Sequence, residues 1–347
     1  MNRATPPEPR AVVALAPTAV ALTGIAFLWL TVLWLHLTPA LFAALITYGG
    51  TRALATGLQR VRPGLRHDQF WGLFVLVLVS GGVGTVLVER AAEAAAAGSG
   101  YTGLLQQMAG ALEQLRALLP AWLSTRLPVS LESLREAAVA WLRSHAAQVQ
   151  LWGSHALRGI GYAVAGVVVG GLAALQLPPV GQAPDTAAPL AAALRCGFDG
   201  LVNSFTAVVF AQLRIATINT VLTAVYLLGV LPLMGTPLPL AGTLVAATFV
   251  ASLVPVVGNL VSNTIIVLVS LTHSVAIAGL SLAWLVVIHK LEYFLNAHII
   301  GHRIRAQAWE LLIAMLTLEA LFGLAGLVSA PVLYAQLKNT LYQRGWL

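Results

Sequence analysis

The sequence is poor in charged residues. Of its 347 residues, only 9% are Asp, Glu, Lys or Arg, whereas about 25% is usual for a soluble globular protein. Two stretches carry no formal charge at all: 41 residues between Arg10 and Arg52, and 75 residues between Arg214 and Lys290. A helix that spans a bilayer needs only about 20 apolar residues. The shortage of charge therefore excludes an ordinary soluble enzyme and predicts a membrane protein with several spans.

Cysteine and the motifs of common enzymes are also scarce. Cys196 is the single cysteine, which excludes an internal disulfide framework and any cysteine-based metal cluster. The sequence has no HExxH helix, no P-loop and no recognisable nucleophile triad. We therefore expect no enzymatic activity, no catalytic residue, no resident metal and no cofactor.

The charge that is present indicates membrane topology. The formal net charge is +7, but the basic residues are scattered singly, which argues against binding of nucleic acid. The loop after the second predicted span holds Arg52, Arg60, Arg62 and Arg66 against Asp68 alone. An excess of arginine in a short loop marks the cytoplasmic side. The N-terminus is then expected on the cytoplasmic side as well.

Hydropathy divides the chain into three parts. Residues 1–90 predict three spans, of which the first two form a tight hairpin that turns at Thr38 and Pro39. Residues 91–155 place apolar side chains at a spacing of three to four, which predicts two amphipathic helices. Their acidic and basic residues nearly balance, so this segment is expected outside the cytoplasm. Residues 156–347 predict a membrane transport core.

Two apolar segments of this core are interrupted. Polar residues divide 259–289 into two arms that are each short for a crossing, and 311–337 is broken by Gly323, Gly326 and Pro331. The sequence leaves open whether each segment is re-entrant or a full span. The predicted fold is an all-α polytopic membrane protein with about eight membrane segments, some of them broken or re-entrant, and a small extracytoplasmic amphipathic helical segment.

Polar side chains inside the apolar half are candidates for a transport pathway. Asn219 lies in one polar cluster, and Asn259 and Asn263 lie in another, immediately after Pro255 and Gly258. The second cluster would project from a helix that begins at a backbone break. Amide oxygens beside freed carbonyls can bind a partly dehydrated cation or a polar solute. The simpler interpretation is hydrogen bonding between helices.

Acidic residues in or beside apolar sequence form a second group of candidates. Glu319 lies nine residues into the final apolar segment, where an ionised carboxylate is costly unless it faces protein or water. It could carry a proton or a cation, or it could lie at a membrane interface or pair with an arginine. Glu292 could serve the same role, although its neighbour Lys290 favours a structural ion pair.

A longer pattern resembles a known family. Residues 291–301 read LEYFLNAHIIG, which resembles the signature of the autoinducer-2 exporter family: Leu-Glu-Asn, three variable positions, Pro, and then Ile-Ile-Gly. Residues 212–219, 254–258 and 323–331 resemble further motifs of that family in order and spacing. The sequence departs from the usual pattern at Tyr293, Ala297 and Glu319.

The resemblance implies a transporter of the cytoplasmic (inner) membrane that forms a homo-oligomer such as a pentamer. Members export small signalling molecules or exchange sodium or lithium for protons. The signature adds Asn296 to the candidate pathway. The family pattern also places Gly301, Gly323, Gly326 and Pro331 at hinge or packing positions.

Three functional hypotheses follow. The first is a secondary transporter that exports a small polar solute by alternating access, driven by a proton or sodium gradient because no nucleotide-binding motif is present. The second is a sodium(lithium)/proton antiporter in which Glu319 or Glu292 is the exchanged carboxylate. The third is a non-transporting oligomeric scaffold in which residues 91–155 recruit partners. The expected partners are the solute or a monovalent cation with protons, the lipid bilayer, and further copies of the chain.

Overall fold

The fold is described from a computed structural model. It covers residues 9–62, 67–96, 136, 139–141, 143–177, 188–253, 257–304 and 307–343. All regular secondary structure within these ranges is helical, which confirms the all-α class. The predictions for Pro255 and Arg66, and for most of the segment 91–155, concern residues outside these ranges.

Nine helices are described within these ranges. In chain order they are α1 (Pro9–Trp34), α2 (Thr38–Val61), α3 (Asp68–Ala96), α4 (Ala146–Gln176), α5 (Pro189–Ala224), α6 (Ala241–Ser252), α7 (Val257–Leu271), α8 (Val275–Ile304) and α9 (Ala308–Gln343). Helix α5 continues through a π-helical turn, Val225–Val230, and a last short turn, Leu231–Leu233.

Several helices are suited to a membrane. Within the described residues, Ala146–Gln176, Pro189–Leu233 and Trp309–Tyr342 are long and apolar enough to cross one, and the bent pair Leu22–Trp34 and Thr38–Val61 adds a fourth if it counts as one span. Shorter apolar helices cover Asp68–Gly82, Ala241–Ser252, Gly258–Leu271 and Val275–Lys290. The chain is therefore a helical membrane protein, while the number of about eight membrane segments stays a prediction.

The chain divides into two compact units. The first unit contains Met1–Gly82, Ala156–Val208 and Arg303–Leu347, and the second contains Val83–His155 and Val209–His302. Both units are thus assembled from separate parts of the sequence. The division into residues 1–90, 91–155 and 156–347, which was inferred from hydropathy, describes changes in composition along the chain and stays a prediction.

In the first unit, α1 and α2 meet at a sharp turn, while the predicted hairpin of two spans stays a prediction. Their axes are bent by 120° at a break of a few residues, where His36 has a φ of 55°. Pro39 lies in the first turn of α2, where the missing N–H of proline has no helical partner to lose. The prediction of a turn next to Thr38 and Pro39 is therefore confirmed.

Small residues let α4 approach α2 closely in the same unit. A Cβ added at Gly166 would clash with the carbonyl oxygen of Ala40, and one added at Gly170 would clash with that of Ala44. The four-residue spacing is the same on both helices. Such stripes of small residues are typical of close helix packing in membranes, and this one holds two predicted spans together without bulky side chains between them.

The last helix of the first unit, α9, is folded back on itself. Gly323 has φ 61° and ψ −144°, a conformation that is essentially restricted to glycine. A Cβ added at Gly326 would clash with the carbonyl oxygen of Leu318, so the chain after the break approaches the chain before it. Glu310 accepts a hydrogen bond from Tyr334, 24 positions further on, at 2.7 Å. These contacts make α9 a helical hairpin with its tip at Gly323.

The α9 hairpin resolves one of the interrupted segments. Its first arm, 308–322, is about 22 Å long at about 1.5 Å per residue, whereas the hydrocarbon core of a bilayer is about 30 Å thick. One arm is thus too short to cross, although Trp309–Tyr342 is long enough in sequence. The helix continues through Pro331. The predicted interruption at Pro331 was therefore wrong, because the reversal needs only Gly323.

The second unit contains two further helical hairpins. A Cβ added at Gly258 would clash with the carbonyl oxygen of Ala251, so α6 and α7 meet closely beside their connection. Helices α7 and α8 turn at 272–274, and Ser270 shares a hydrogen bond with Ser281 across that turn at 2.7 Å. The interruption predicted inside 259–289 is thus confirmed as a reversal of the chain.

The core of the second unit surrounds the end of α5. Tyr226 stacks on Trp284 with ring centroids 5.0 Å apart. Its hydroxyl shares a hydrogen bond with Ser281 at 2.9 Å. Fully or nearly fully buried apolar side chains complete this core: Leu227, Leu231, Leu238, Leu244, Ile266, Ile277 and Leu285. The core fixes the position of α5 against α7 and α8. It therefore also fixes the positions of Thr223 and Asn219, which lie one and two turns earlier on α5.

Candidate functional site

A buried network of neutral polar side chains lies where α5 meets the hairpin of α6 and α7. The amide nitrogen of Asn219 donates to the hydroxyl of Ser252 at 2.9 Å and to the side-chain oxygen of Asn259 at 3.0 Å. The hydroxyl of Ser252 donates to the same oxygen of Asn259 at 2.6 Å. Three side chains from three helices thus form a closed triangle of hydrogen bonds.

The hairpin geometry places these groups together. Ser252 is the last residue of α6, and Asn259 lies in the first turn of α7. Gly258 lets the start of α7 lie directly against the end of α6, where any side chain would strike Ala251. Gln212, two helical turns before Asn219 on α5, donates its side-chain amide to the carbonyl oxygen of Ser252 at 2.6 Å. This bond satisfies a carbonyl group that the end of α6 leaves without a helical partner.

The network is closed off from the surface. Asn219, Ser252 and Asn259 are 4%, 1% and 7% exposed. Between Arg214 and Lys290 the sequence has no formal charge, so the site is built from amides and hydroxyls. Such groups can bind a neutral hydroxylated solute or a partly dehydrated monovalent cation. Neutral groups cannot balance the charge of a multiply charged solute or ion.

The C-terminal part of the chain, a little under half of its length, matches a known family. Residues 186–343 match the model of the AI-2E family transporters, and this range contains all four members of the network. This C-terminal part of the chain belongs to the AI-2E transporter family. No curated protein and no solved structure matches the sequence.

Membership confirms the resemblance read from the motifs. This AI-2E protein is a membrane transporter, since the family is one of transporters. The match covers α5 to α9, which contain the buried network and the α9 hairpin. Neither the transported solute nor the direction of transport follows from the match, so both are treated below as proposals.

The structure unites two sites that the sequence kept apart. Asn219 and Asn259 were predicted in separate polar clusters, 40 positions apart, and they share a hydrogen bond. Asn263 lies one turn after Asn259 on α7, is half-buried, and makes none of the bonds of the network. Gly258 serves the close approach of α6 and α7.

Other predicted residues lie elsewhere. Glu319, Gly323, Gly326 and Pro331 belong to the first unit, where they form or flank the α9 hairpin. Glu319 is exposed on the first arm, four residues before the tip. It therefore does not contribute a carboxylate to the second unit's own network of side chains.

The family signature falls on the end of α8. Glu292, Asn296 and Gly301 lie in this helix, while their side chains are outside the described part of the structure. Their proposed roles in a pathway or in packing stay predictions.

Two members of the network were not proposed as site residues from the sequence, although Gln212 begins one of the motifs that resemble the family. Ser252 ends an apolar run as an isolated serine, and Gln212 precedes the predicted polar cluster by seven positions. The available signal was spacing: Gln212, Asn219 and Thr223 follow a separation of seven and four, which puts them on one face of a helix. Thr223 is fully buried and its hydroxyl has no hydrogen-bond partner, so the polar face of α5 extends beyond the triangle.

Proposed function

We propose that this protein is a secondary transporter that exports a small, uncharged, polar solute from the cytoplasm. The observation that carries the proposal is the buried triangle of Asn219, Ser252 and Asn259 at the closed end of the α6–α7 hairpin. It supplies amide and hydroxyl groups at a break between two helices in an otherwise apolar part of the chain. Breaks of this kind are where secondary transporters place their binding sites.

The triangle suits reversible binding. A solute with hydroxyl or carbonyl groups can replace the three internal hydrogen bonds with bonds of its own, so that no donor is left unsatisfied in either state. The net free-energy change of such an exchange is small, since each bond contributes only about 1 kcal/mol net. Weak, exchangeable binding is what a transporter needs in order to release its solute.

The α6–α7 hairpin is the element that would move. If the solute enters between Asn219 and Asn259, the start of α7 separates from α5 while α5 stays anchored by the Tyr226 core. We propose that this separation is the inner step of alternating access. A proton or sodium gradient drives it, because the sequence has no nucleotide-binding motif.

Reconstitution into liposomes tests the proposal. Liposomes that contain the purified protein are loaded with a pH dye and with one radiolabelled uncharged polyhydroxylated solute at a time. A pH gradient is imposed, and the efflux of the solute and the internal pH are followed together. We expect efflux of at least one solute, with about tenfold or greater loss on Asn259→Ala, because two donors lose their acceptor. Asn263→Ala, on the same helix, is the matched control and should retain flux. Equal flux in both variants would refute a role for the triangle.

Sodium(lithium)/proton antiport is the second candidate. It is favoured by the oxygen atoms of Asn219, Ser252 and Asn259, since amide and hydroxyl oxygens are also ligands for a small cation. In the same liposomes, sodium or lithium but not choline would then collapse the pH gradient. Glu319→Gln should abolish this response if Glu319 exchanges the proton. A persisting response would remove Glu319 from the mechanism.

Location and assembly are part of the proposal. We propose that the protein lies in the cytoplasmic (inner) membrane with a cytoplasmic N-terminus. Arg60 and Arg62, at the C-terminal end of α2, support this orientation, whereas Arg52, which the sequence placed in a loop, lies within the helix. A homo-oligomer, such as a pentamer, is the assembly that the family resemblance implies. The scaffold hypothesis depends on residues 91–155 and predicts that deleting them disrupts assembly while reconstituted protein shows no flux.

A further inference from the structure

An open cavity, the α1–α9 groove, lies between α1 and the α9 hairpin. Its volume is about 330 Å³, which is within the range of about 300–1,000 Å³ for sites that bind small molecules. Helix α1 forms one wall between Leu22 and Leu33, and the two arms of α9 form the other between Leu318 and Thr340. All of these residues belong to the first unit. The groove is therefore a feature of one compact unit and has room for part of an organic molecule.

The walls of the groove are apolar. None of its twelve lining residues carries a formal charge, and Gln336 and Thr340 are the two polar ones. The side-chain oxygen of Gln336 accepts a hydrogen bond from the indole nitrogen of Trp29 at 2.7 Å, and its amide nitrogen donates to the carbonyl oxygen of Gly197 at 3.2 Å. The hydroxyl of Thr340 donates to the carbonyl oxygen of Gln336 at 2.7 Å. Since these polar groups bond within the protein, an occupant is held by van der Waals contact with the walls.

The mouth of the groove is lined by exposed leucines. Leu30 on α1 and Leu337 on α9 both line the groove, yet they are 53% and 50% exposed, whereas Trp29 and Leu33 are 5% and 1% exposed. Helix α9 is long and apolar enough to cross a membrane, so its exposed leucines face the hydrocarbon of the bilayer. The mouth is continuous with this lipid-facing surface, and lipid is therefore the medium that reaches the groove.

The length of the groove is close to the thickness of one leaflet. From Leu22 to Leu33, the wall on α1 rises by eleven residues of about 1.5 Å each, or about 16 Å in all. The hydrocarbon core of a bilayer is about 30 Å thick, so the acyl chains of one leaflet span about 15 Å. A chain that lies along the groove can thus follow it over most of its length.

The two ends of the groove differ in polarity. Thr340 lies beside the open ends of the α9 arms, where Lys338 forms its ion pair with Glu310. Phe322, at the other end of the lining on α9, precedes the apolar tip at Gly323. Charged groups are costly within the hydrocarbon core, so the ion pair marks the end that is nearer to the lipid headgroups. The groove therefore runs from the headgroup level into the apolar part of the bilayer.

We propose that the α1–α9 groove binds one acyl chain of a membrane phospholipid. The apolar walls, the mouth on the lipid-facing surface and the length of one leaflet all fit a single hydrocarbon chain. Because the lining carries no charge, the site selects the chain and not the headgroup. The bound chain gains contacts on several sides at once, which a chain on a flat helix surface does not. The inference rests on the membrane location of the protein and not on the proposed solute or direction of transport.

Photochemical labelling tests the site in the full-length protein. The protein is reconstituted with phosphatidylcholine that carries a diazirine in one acyl chain, extracted in a mild detergent, washed and irradiated, and the labelled peptides are identified by mass spectrometry. We expect one retained lipid per protein chain, attached within 22–33 or 318–340, and the same result with phosphatidylglycerol that carries the same chain. Label spread over all exposed apolar helices, or no label after washing, would overturn the proposal.

Three variants connect the label to the groove. Ala26→Phe places a ring among the lining residues and should reduce the labelling of α1 and α9 about tenfold or more. Leu30→Trp narrows the mouth from an exposed position and should act in the same direction, so the test does not depend on one variant that might misfold. Ala320→Phe adds the same ring at an exposed position of α9 outside the lining and is the matched control.

The variants also separate a lipid from a second copy of the chain. Unchanged labelling in both Ala26→Phe and Leu30→Trp would contradict the proposal. If Ala26→Phe alters the mass of the oligomer in detergent and leaves the label in place, another protein chain occupies the groove, and the proposal is overturned. Loss of label with an unchanged mass, and retention of label in Ala320→Phe, is the result that supports an acyl chain.

Discussion

The hairpins α6–α7 and α9 both reverse the chain with the help of glycine, yet their polar groups lie at opposite ends. In α6–α7 the polar residues Ser252 and Asn259 flank the connection and bond to Asn219. In α9 the tip at Gly323 is apolar, and the polar contacts join the open ends of the arms, where Lys338 lies 2.5 Å from Glu310. The first arrangement buries neutral groups that a solute can replace. The second clamps two arms together by charge.

This difference in polar contacts makes the α6–α7 hairpin a candidate for binding a solute and the α9 hairpin a structural element. Neutral hydrogen bonds can be exchanged for bonds to a ligand with little net change in free energy. An ion pair between two arms has no such substitute in a neutral solute. We therefore expect changes in α6–α7 to alter flux and folding together, whereas changes in α9 should act mainly through folding.

The most disruptive change should be Gly258→Ala. The new Cβ would strike the carbonyl oxygen of Ala251, and backbone cannot move aside as a side chain can. We expect a loss of about 3 kcal/mol or more in the free energy of unfolding, measured by denaturant titration in mixed micelles. Gly279→Ala in α8, where a Cβ meets nothing within 4 Å, is the control and should be neutral or stabilising. A stable Gly258→Ala protein would show that α6 and α7 need not touch.

Asn259→Ala should have the next largest effect on stability. It leaves the amide of Asn219 and the hydroxyl of Ser252 without their common acceptor. We expect a loss of about 2–3 kcal/mol from these unsatisfied donors, again by denaturant titration. Combining it with Asn219→Ala should cost less than the sum of the two, because one network is lost once. Strict additivity would mean that the side chains do not act together.

Gly323→Ala isolates the backbone conformation at the tip of α9. A Cβ there meets no neighbouring atom within 4 Å, so its effect comes from the positive φ of 61° alone. The expected loss is about 1–2 kcal/mol. Gly57→Ala, also without neighbours within 4 Å, should not destabilise. If both variants unfold at the same denaturant concentration, α9 does not require the glycine conformation.

Glu310→Gln should have the smallest effect of the four. The carboxylate accepts hydrogen bonds from Tyr334 and Lys338, but it is partly exposed, so the ion pair is screened by water and salt. We expect a slightly lower unfolding midpoint, and the difference from the unchanged protein should shrink as salt is added. Tyr334→Phe removes a bond from an uncharged donor and keeps the ion pair with Lys338, so its effect should depend much less on salt. A difference that is constant in salt would rule out an electrostatic clamp.

Much of the fold could be predicted from the sequence, because its determinants are local. The turn at Thr38 and Pro39, the reversal near His273 and the break at Gly323 each coincide with a residue type that disfavours a continuous helix. Pro331 was over-interpreted, since a proline inside a helix can be accommodated when neighbouring elements support it.

The candidate site was only half predictable. That Asn219 and Asn259 are costly in an apolar environment follows from composition, but their pairing depends on how α7 folds back on α6. The sequence did not indicate a role for Ser252, because a single serine in an apolar helix usually forms a hydrogen bond with its own backbone.

The π-helical turn at the end of α5 has a consequence for how the protein can change over generations. A π turn holds one residue more than an α turn, and each residue of an α-helix advances the direction of its side chain by about 100°. Losing one residue from Val225–Val230 would leave an unbroken helix, but it would turn a different side chain toward Ser281 and Trp284. Insertion or deletion of a single residue, and not substitution, is therefore the mutation by which this segment could acquire a new set of neighbours.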